Sequence, residues 1–248
     1  MVHFAGAGCG AADLITLRGK TLIETADVVI YAGSLINKQL LDYAKADCAM
    51  YDSAKMTLEE VLEVIYAAEN DGKTTVRLHS GDPSIYGAIR EQMVQLDSHG
   101  IAYAICPGVS SLFGAAAALK AEYTLPDVSQ TVIITRMKGR TPVPEKENMR
   151  SLAAHGATMV IFLSTGLLDE LQAELIAGGY SPDTPAAIVY KASWDDEKVF
   201  RCTVDSLAET AKVNNLTKTS LITVGHFLGD AFERSQLYHP DFTTEFRK

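Results

Sequence analysis

The sequence predicts an α/β protein with a mostly parallel sheet in its N-terminal half and a mixed sheet in its C-terminal half. Short apolar runs alternate with stretches of helical spacing, which is typical of parallel strands joined by crossover helices. In the C-terminal half, Ala186–Tyr190 and Lys198–Thr203 lie too close together for a parallel crossover, which needs about a dozen residues or more. A hairpin must join them, and the second sheet is therefore mixed.

The N-terminal half is predicted to contain four buried strands and four helices. The strands are Val2–Ala5, Val28–Tyr31, Thr75–His79 and Ala102–Cys106, each short, apolar and bounded by glycine, proline or polar residues. The helices are Leu14–Thr25, Thr57–Asn70, Tyr86–Ser98 and a helix of small residues, Ser111–Ala121. Gly72 and Gly100 stand where C-terminal caps belong. This order predicts a sheet covered by helices on both faces.

The alternation restarts after a short link at residues 125–127, so we predict two domains, 1–121 and 122–248. The strands expected in the second domain are Gln130–Thr135, Thr158–Leu163, Ala186–Tyr190, Lys198–Thr203 and Ser220–Val224. The helices expected there are Glu145–His155, Leu167–Gly178 and Val204–Val213.

Composition excludes several classes of protein. The 248 residues include 22 basic and 31 acidic ones, so the net charge is −9. An apolar fraction of 47% is typical of a globular chain and not of a disordered one. The acidic balance argues against nucleic acid or an anionic membrane as a partner. The four scattered cysteines and six histidines show no zinc-like spacing, so no metal site is predicted.

No targeting or membrane segment is expected either. Strand-like sequence follows Met1 at once, without the basic and apolar regions of a signal peptide. The longest apolar run, Leu112 to Leu119, is far too short to span a membrane. We therefore expect a cytoplasmic protein with reduced thiols.

The first glycine-rich loop, Gly6–Ala11, matches the dinucleotide fingerprint G-x-G-x-x-G/A. Two features count against an NAD site. No acid follows Val28–Tyr31 to hold the ribose hydroxyls, since the next residues are Ala32-Gly33-Ser34. The next helix also begins late, near Leu14, which places its N-terminus poorly for a pyrophosphate. An NAD-dependent oxidoreductase and a plain tight turn both remain open at this point.

Two further loops carry glycines at strand ends. In His79–Gly87, Asp82 and Pro83 are typical of a helix start, but they leave two glycines and Tyr86 unexplained. In Cys106–Ser111, a serine is expected to cap the next helix. The glycine is expected to let the backbone come close to a neighbouring group. Loops at the carboxyl ends of adjacent parallel strands define one crevice, so the sequence predicts a small-molecule site there.

The same motifs, in this order, resemble the tetrapyrrole (corrin/porphyrin) methylase family over nearly the whole chain. They are Gly6–Gly10 with Asp13–Gly19 and Ala26–Tyr31, then Gly81–Pro83 with Tyr86-Gly87, and then Pro107–Ser111. The resemblance implies two α/β domains with S-adenosylmethionine in the cleft between them, S-adenosylhomocysteine as product, a tetrapyrrole substrate and a homodimer.

Other segments are similar to one subgroup of the family, the methyltransferases acting on carbon 11 of precorrin-4 or cobalt-precorrin-4 in cobalamin synthesis. They are Tyr86–Ile89 with Glu91–Met93, Gln130–Ile133 with Thr135-Arg136 and Gly139–Glu145, Val189–Ala192 with Trp194, and the tail residues Arg234, Ser235, Leu237, Tyr238, Phe242, Phe246 and Arg247. Methylation of uroporphyrinogen III or another precorrin is the alternative within the family. A cofactor-binding module without catalysis is the alternative outside it.

The resemblance assigns cofactor contacts by position. They fall on Cys9, Ser80, Gly81, Asp82, Ile85, Ser110, Ser111, Leu163 and Ala192. The chain departs from the family in its first loop, where Cys9 replaces the usual proline and Ala11-Ala12 replace a pair resembling Asp-Pro. Loss of proline loosens the preset geometry of that loop.

The implied reaction displaces a methyl group from a sulfonium by an electron-rich ring carbon, so positioning is the protein's main task. His79, Tyr86 and Glu91 are candidates for a base by their loop positions. Because the substrate class is rich in carboxylates, Arg136 and Arg140 are predicted to pair with them. The alternative is a solvated loop with ordinary surface charge.

Overall fold

The computed structural model describes residues 1–236 and 239–247, so Leu237 and Tyr238 of the tail motif lie outside the described residues. The chain forms two compact units. The first is Met1–Gly114 with the short segment Ser193–Asp196, and the second is Ala115–Ala192 with Glu197–Lys248. The domain limits 1–121 and 122–248 stay a prediction.

The first unit is built on a five-stranded sheet whose strands are all parallel. The strands are β1 Val2–Gly6, β2 Val28–Tyr31, β3 Ala49–Asp52, β4 Thr75–His79 and β5 Tyr103–Cys106, in the order β3-β2-β4-β1-β5. The predicted parallel sheet is confirmed, but β3 was not expected. This edge strand, with the sequence Ala-Met-Tyr-Asp, is largely exposed, so it lacks the continuous apolar run of a buried strand.

Helices cover both faces of this sheet. They are α1 Leu17–Thr25, α2 Leu58–Asn70 and α3 Ile89–Ser98, with short 3₁₀ turns at Ala12–Leu14, Gly33–Leu35, Lys38–Tyr43 and Ser53–Lys55. A fourth helix, α4 Ser111–Leu119, begins in the first unit and ends in the second. A capping box between Thr57 and Glu60 starts α2. Gly72 and Gly100 follow α2 and α3 at φ of 71° and 66°, which confirms them as C-terminal caps.

The predicted helix starts at Leu14 and Tyr86 are too early, and Asp82-Pro83 does not start a helix. Thr16 caps α1, whose first residue is Leu17. Residues 83–86 form a turn instead of a helix, and Tyr86 and Ala88 have left-handed φ values of 57° and 50°. A right-handed helix cannot continue through such residues, so α3 begins only at Ile89.

The second unit contains a mixed sheet, as predicted. Its strands are β6 Val132–Arg136, β7 Thr158–Phe162, β8 Pro185–Tyr190, β9 Lys198–Thr203 and β10 Ser220–Val224, in the order β6-β7-β10-β8-β9. Strands β6 and β7 are parallel, whereas β7/β10, β10/β8 and the β8/β9 hairpin are antiparallel. The carboxyl ends of β6, β7 and β8 therefore share one edge of the sheet.

The helices of the second unit are shorter than predicted. They are α5 Met149–Ala153, α6 Leu168–Ala177 and α7 Leu207–Val213, with 3₁₀ turns at Glu145–Glu147, Thr165–Leu167, Val204–Ser206 and His226–Leu228. Two expected helices, Glu145–His155 and Val204–Val213, are each divided into a 3₁₀ turn and an α-helix. In the first of these, Asn148 separates the two parts, because its side chain accepts the Ser151 N–H as an N-cap.

Each unit has its own core. Two clusters cover the faces of the first sheet, one around Phe4, Ile30 and Ile65, the other around Val29 and Leu78. A third cluster packs α5, α6 and α7 on one face of the second sheet. No helix within the described residues is long and apolar enough to cross a membrane.

Candidate functional site

The loops that follow β1, β4 and β5 begin at one edge of the first sheet. Strand β1 lies between β4 and β5, with Gly6 in register with His79 and Ala5 in register with Cys106. The chain order also reverses direction across the sheet here, and such a point is where open α/β sheets bind ligands. The predicted adjacency of the three glycine-bearing loops is confirmed.

Backbone hydrogen bonds join the loops after β1 and β4. The Ala7 N–H donates to the His79 carbonyl at 2.7 Å. Gly8 and Gly81 exchange two bonds, from Gly8 N to Gly81 O at 3.2 Å and from Gly81 N to Gly8 O at 2.8 Å. Both glycines have left-handed φ, 84° and 63°, which other residues rarely adopt. The pairing is therefore specified by glycine at both positions.

Gly6, Gly81 and Gly108 bring the three loops into direct contact. A Cβ on Gly6 would stand 2.5 Å from both Gly108 Cα and the Gly81 carbonyl oxygen. A Cβ on Gly108 would overlap the same oxygen and stand 2.6 Å from Gly6 Cα. The close approach predicted at these glycines is thus an approach between neighbouring loops.

Asp82 fastens the β4 loop to the β5 loop. Its Oδ2 accepts the Gly108 N–H at 2.7 Å, and its Oδ1 accepts from the Ser84 N–H at 2.8 Å and the Ser84 hydroxyl at 2.5 Å. Burial raises the pKa of Asp82, but these three hydrogen bonds together outweigh burial and hold the pKa below its usual range. The carboxylate is therefore ionised, and three hydrogen bonds from its own loops fix its position.

Most of the predicted cofactor residues lie on these three loops. They are Cys9, Ser80, Gly81, Asp82, Ile85, Ser110 and Ser111. Ser80 is exposed, Ile85 is half-buried and Ser111 is the first residue of α4. The buried Ser110 accepts the Phe113 N–H at its carbonyl, 3.0 Å, and the Leu112 N–H at its hydroxyl, 3.5 Å.

Two polar side chains that the sequence did not indicate hold the first loop. Asn37 donates from Nδ2 to the Gly10 carbonyl at 3.0 Å. The Ser193 hydroxyl accepts the Ala11 N–H at 3.0 Å and donates to the Cys9 sulfur at 3.2 Å. Cys9 is only 7% exposed and thus packs as a small buried residue. The only signal for Ser193 was its position next to the predicted contact Ala192.

The three base candidates have different surroundings. His79 is buried beside Phe4, with ring centroids 6.1 Å apart, and burial together with the charge of Arg77 lowers its pKa to about 3. Such a ring is neutral and enclosed near pH 7, which is unsuited to proton exchange with a substrate. Tyr86 is 45% exposed and Glu91 is exposed on the first turn of α3. A catalytic role for any of the three stays a prediction.

The remaining predicted residues lie at the carboxyl edge of the second sheet. Leu163 follows β7 at a left-handed φ of 52° and is 67% exposed, whereas Ala192 follows β8 and is buried. Arg136 ends β6, and its guanidinium donates to the carbonyls of Met137, Thr141 and Pro142. Arg140 is exposed in the loop that follows.

The chain matches one family of known proteins along most of its length. The family model described as Tetrapyrrole (Corrin/Porphyrin) Methylases matches residues 1–208. Cobalt-precorrin-4 C(11)-methyltransferase of Methanocaldococcus jannaschii is 55% identical over 248 residues, covering 100% of this chain and 96% of the relative. Precorrin-4 C(11)-methyltransferase of Sinorhizobium sp is 43% identical over 248 residues, covering 99% of this chain and 98% of the relative.

A solved structure shares the fold. The X-ray structure of cobalt precorrin-4 methyltransferase, a cobalamin biosynthetic enzyme, superposes with a TM-score of 0.90 at 45% identity. The match covers 92% of this chain and 96% of that one.

Proposed function

Because the chain belongs to the tetrapyrrole (corrin/porphyrin) methylases, we propose that it transfers a methyl group from S-adenosylmethionine to carbon 11 of cobalt-precorrin-4. The observation that carries this proposal is the 55% identity, over the whole chain, to a relative of that name. Metal-free precorrin-4 is the second candidate substrate, because a relative named for it is 43% identical over nearly the whole chain.

The chemistry of the three loops fits a cationic methyl donor. Residues 6–16, 79–88 and 106–111 contain neither lysine nor arginine, and they contribute backbone carbonyls, hydroxyls, the thiols of Cys9 and Cys106 and the carboxylates of Asp13 and Asp82. A positively charged sulfonium is favoured by such surroundings and would be repelled by a basic loop. We propose that S-adenosylmethionine contacts Cys9, Ser80, Gly81, Asp82, Ile85, Ser110 and Ser111. Leu163 and Ala192 of the second unit stay predictions.

Positioning is the main contribution of these residues to the reaction. The bound donor supplies an activated methyl group whose leaving group is a neutral thioether, so little acid catalysis is needed at sulfur. The Gly8–Gly81 pairing and the Asp82–Gly108 hydrogen bond hold the loops in one arrangement. A rigid cradle of this kind keeps the methyl group in line with the attacking carbon, and orientation is worth several kcal/mol in reactions of this type.

The carboxylates of the substrate need a local source of positive charge, because the protein carries a net charge of −9. Lys138 and Arg140 are exposed in the loop after β6, and neither forms an ion pair with another residue in the described part of the chain. We propose that Arg140 pairs with a substrate carboxylate, since its planar guanidinium suits bidentate pairing.

Two experiments test the function. Thermal unfolding in the presence of S-adenosylhomocysteine, and in a second experiment NAD, distinguishes a methylase from a dinucleotide-dependent enzyme. A rise in Tm with NAD alone would overturn the proposal. Incubation with cobalt-precorrin-4, precorrin-4 and uroporphyrinogen III, followed by mass spectrometry and NMR of the product, identifies the substrate and the methylated carbon. Methylation at another carbon, or of uroporphyrinogen III alone, would contradict it.

We also propose that the enzyme is a homodimer, as the family resemblance implies, and that it is cytoplasmic, where its four free cysteines would stay reduced. Sedimentation equilibrium of the purified chain tests the dimer, and fractionation of the source cells tests the location. A monomer at micromolar concentration, or recovery in the membrane fraction, would refute the respective part.

A further inference from the structure

We infer that Arg136 is a positioning residue: it fixes the backbone of residues 137–144, the cationic loop, so that Lys138 and Arg140 are presented in one arrangement. This inference rests on the proposed function only for what the cationic loop binds. The structural role of Arg136 stands on contacts within the second unit. Arg136 thus binds carbonyls of its own backbone and does not pair with a substrate carboxylate.

The guanidinium of Arg136 is directed at the backbone of its own loop. One terminal nitrogen, Nη1, donates to the Met137 carbonyl at 3.2 Å and to the Thr141 carbonyl at 3.3 Å. The other, Nη2, donates to the Pro142 carbonyl at 2.7 Å. A carboxylate that pairs end-on with Nη1 and Nη2 together would therefore have to displace at least one of these carbonyls.

The cationic loop has little else to hold its middle. Within the described chain, no backbone N–H to carbonyl hydrogen bond involves residues 138–143. At its start, Met137 has a buried side chain and donates its N–H to the Ser164 hydroxyl at 2.9 Å. At its end, the Pro144 carbonyl accepts the Glu147 N–H at 2.9 Å. Between these anchors, Arg136 alone holds Thr141 and Pro142 among the hydrogen bonds described.

The start anchor is itself rigid. The Ser164 side chain is fully buried, and its hydroxyl donates to the Phe162 carbonyl at 2.6 Å while accepting from Met137. The carboxyl ends of the parallel strands β6 and β7 are thereby tied together. Arg136, the last residue of β6, thus reaches from a fixed strand end to the far side of its loop, and its charge strengthens each bond to a carbonyl.

Limited proteolysis of the full-length protein with trypsin gives a direct measurement. Trypsin cleaves after Lys138 and Arg140, and exposed loops are cut quickly only when their backbone can open. In Arg136→Gln, which cannot reach three carbonyls, we expect cleavage after Lys138 to be at least tenfold faster than in the wild type. Arg136→Lys keeps the positive charge but not the planar guanidinium with its several donors, so we expect an intermediate rate of cleavage after Lys138.

Arg140→Ala is the matched control. Arg140 is exposed, and its side chain makes no hydrogen bond to another described residue. Cleavage after Lys138 should therefore keep the wild-type rate while KM for the tetrapyrrole rises. In Arg136→Gln we expect both faster cleavage and a raised KM, with kcat at saturating substrate changed less than KM. Binding of S-adenosylhomocysteine serves as the test of folding for every variant.

The result that would overturn the inference is a wild-type cleavage rate in Arg136→Gln together with a raised KM, which would make Arg136 a direct substrate contact. If Arg136→Gln fails to fold, the rate of cleavage after Lys138 is measured in Arg136→Lys. A wild-type cleavage rate in that variant would refute the positioning role of Arg136. Because proteolysis needs no substrate, faster cleavage in a protein that methylates no tetrapyrrole would refute the proposed function and leave the positioning role standing.

Discussion

Replacing Gly108 by alanine places a methyl group where the loops after β1, β4 and β5 touch. The new Cβ would overlap the Gly81 carbonyl oxygen and stand 2.6 Å from Gly6 Cα. Both neighbours are backbone atoms, and Gly81 is held by its pairing with Gly8, so neither can rotate away as a side chain would. Overpacking commonly costs about 1–3 kcal/mol, and we expect the upper end, about 3 kcal/mol.

The measurements are urea unfolding of the Gly108→Ala variant and titration calorimetry with S-adenosylhomocysteine. The loops must move apart to admit the methyl group, so we expect the Kd to rise at least about tenfold, which corresponds to about 1.4 kcal/mol. Gly166→Ala is the control, because a Cβ at Gly166 meets nothing within 4 Å. Its stability should change by less than about 0.5 kcal/mol.

Wild-type stability and cofactor affinity in Gly108→Ala would refute any role for the contact between the loops. A loss of stability with an unchanged Kd would show that this contact serves folding and not the site. Equal losses in Gly108→Ala and Gly166→Ala would show that alanine itself, and not the contact, is responsible.

Three other substitutions probe the same loops and the cationic loop. Asp82→Asn keeps one acceptor oxygen for the N–H groups of Gly108 and Ser84, so one of them loses its acceptor, and the change should cost about 1–3 kcal/mol near pH 7. Because the folded state depresses the pKa of Asp82, this contribution is present above the unfolded pKa of about 3.9 and is lost as the pH falls through the folded pKa. Urea unfolding curves of variant and wild type should therefore converge in acid, and a constant difference would contradict the assignment. Ser193→Ala removes the partner of the Ala11 N–H and should weaken S-adenosylhomocysteine binding roughly fivefold by calorimetry, with Thr210→Ala, outside the loops, as its control. Arg140→Ala should raise the tetrapyrrole KM about tenfold or more in steady-state assays and leave cofactor affinity unchanged; an unaltered KM would remove Arg140 from substrate recognition.

The central strands of both sheets could be predicted from sequence because burial imposes continuous apolar runs between polar or glycine boundaries. Strand β4, Thr75–His79, has the predicted limits even though it contains Arg77 and His79. Strand β3 could not be predicted in this way, because an edge strand needs only hydrogen bonds on one side and tolerates exposed residues. The resemblance to the tetrapyrrole methylases is confirmed by the family match over residues 1–208.

The glycine loops of the candidate site could be located from sequence, but the reason for their glycines could not. At Gly6 and Gly108 the neighbour that excludes a side chain is another loop, which lies far away in sequence. Asp-Pro is a common helix start, so local sequence could not show that one oxygen of Asp82 accepts the Gly108 N–H of the next loop. Hydrogen bonds such as Ala11 to Ser193 join residues with no shared local pattern.

Charge separates the two kinds of recognition that the proposed reaction requires. The three loops of the first unit contain no lysine or arginine, as a sulfonium donor needs, whereas the cationic loop of the second unit carries Lys138 and Arg140. A cation shared by both would repel the donor while attracting the substrate. Placing Lys138 and Arg140 on a different loop removes this conflict. The Arg136 guanidinium, at the end of β6, donates to backbone carbonyls and so does not compete with them for the substrate carboxylate. The proposed reaction thus needs only one local cationic loop in a chain whose net charge is −9.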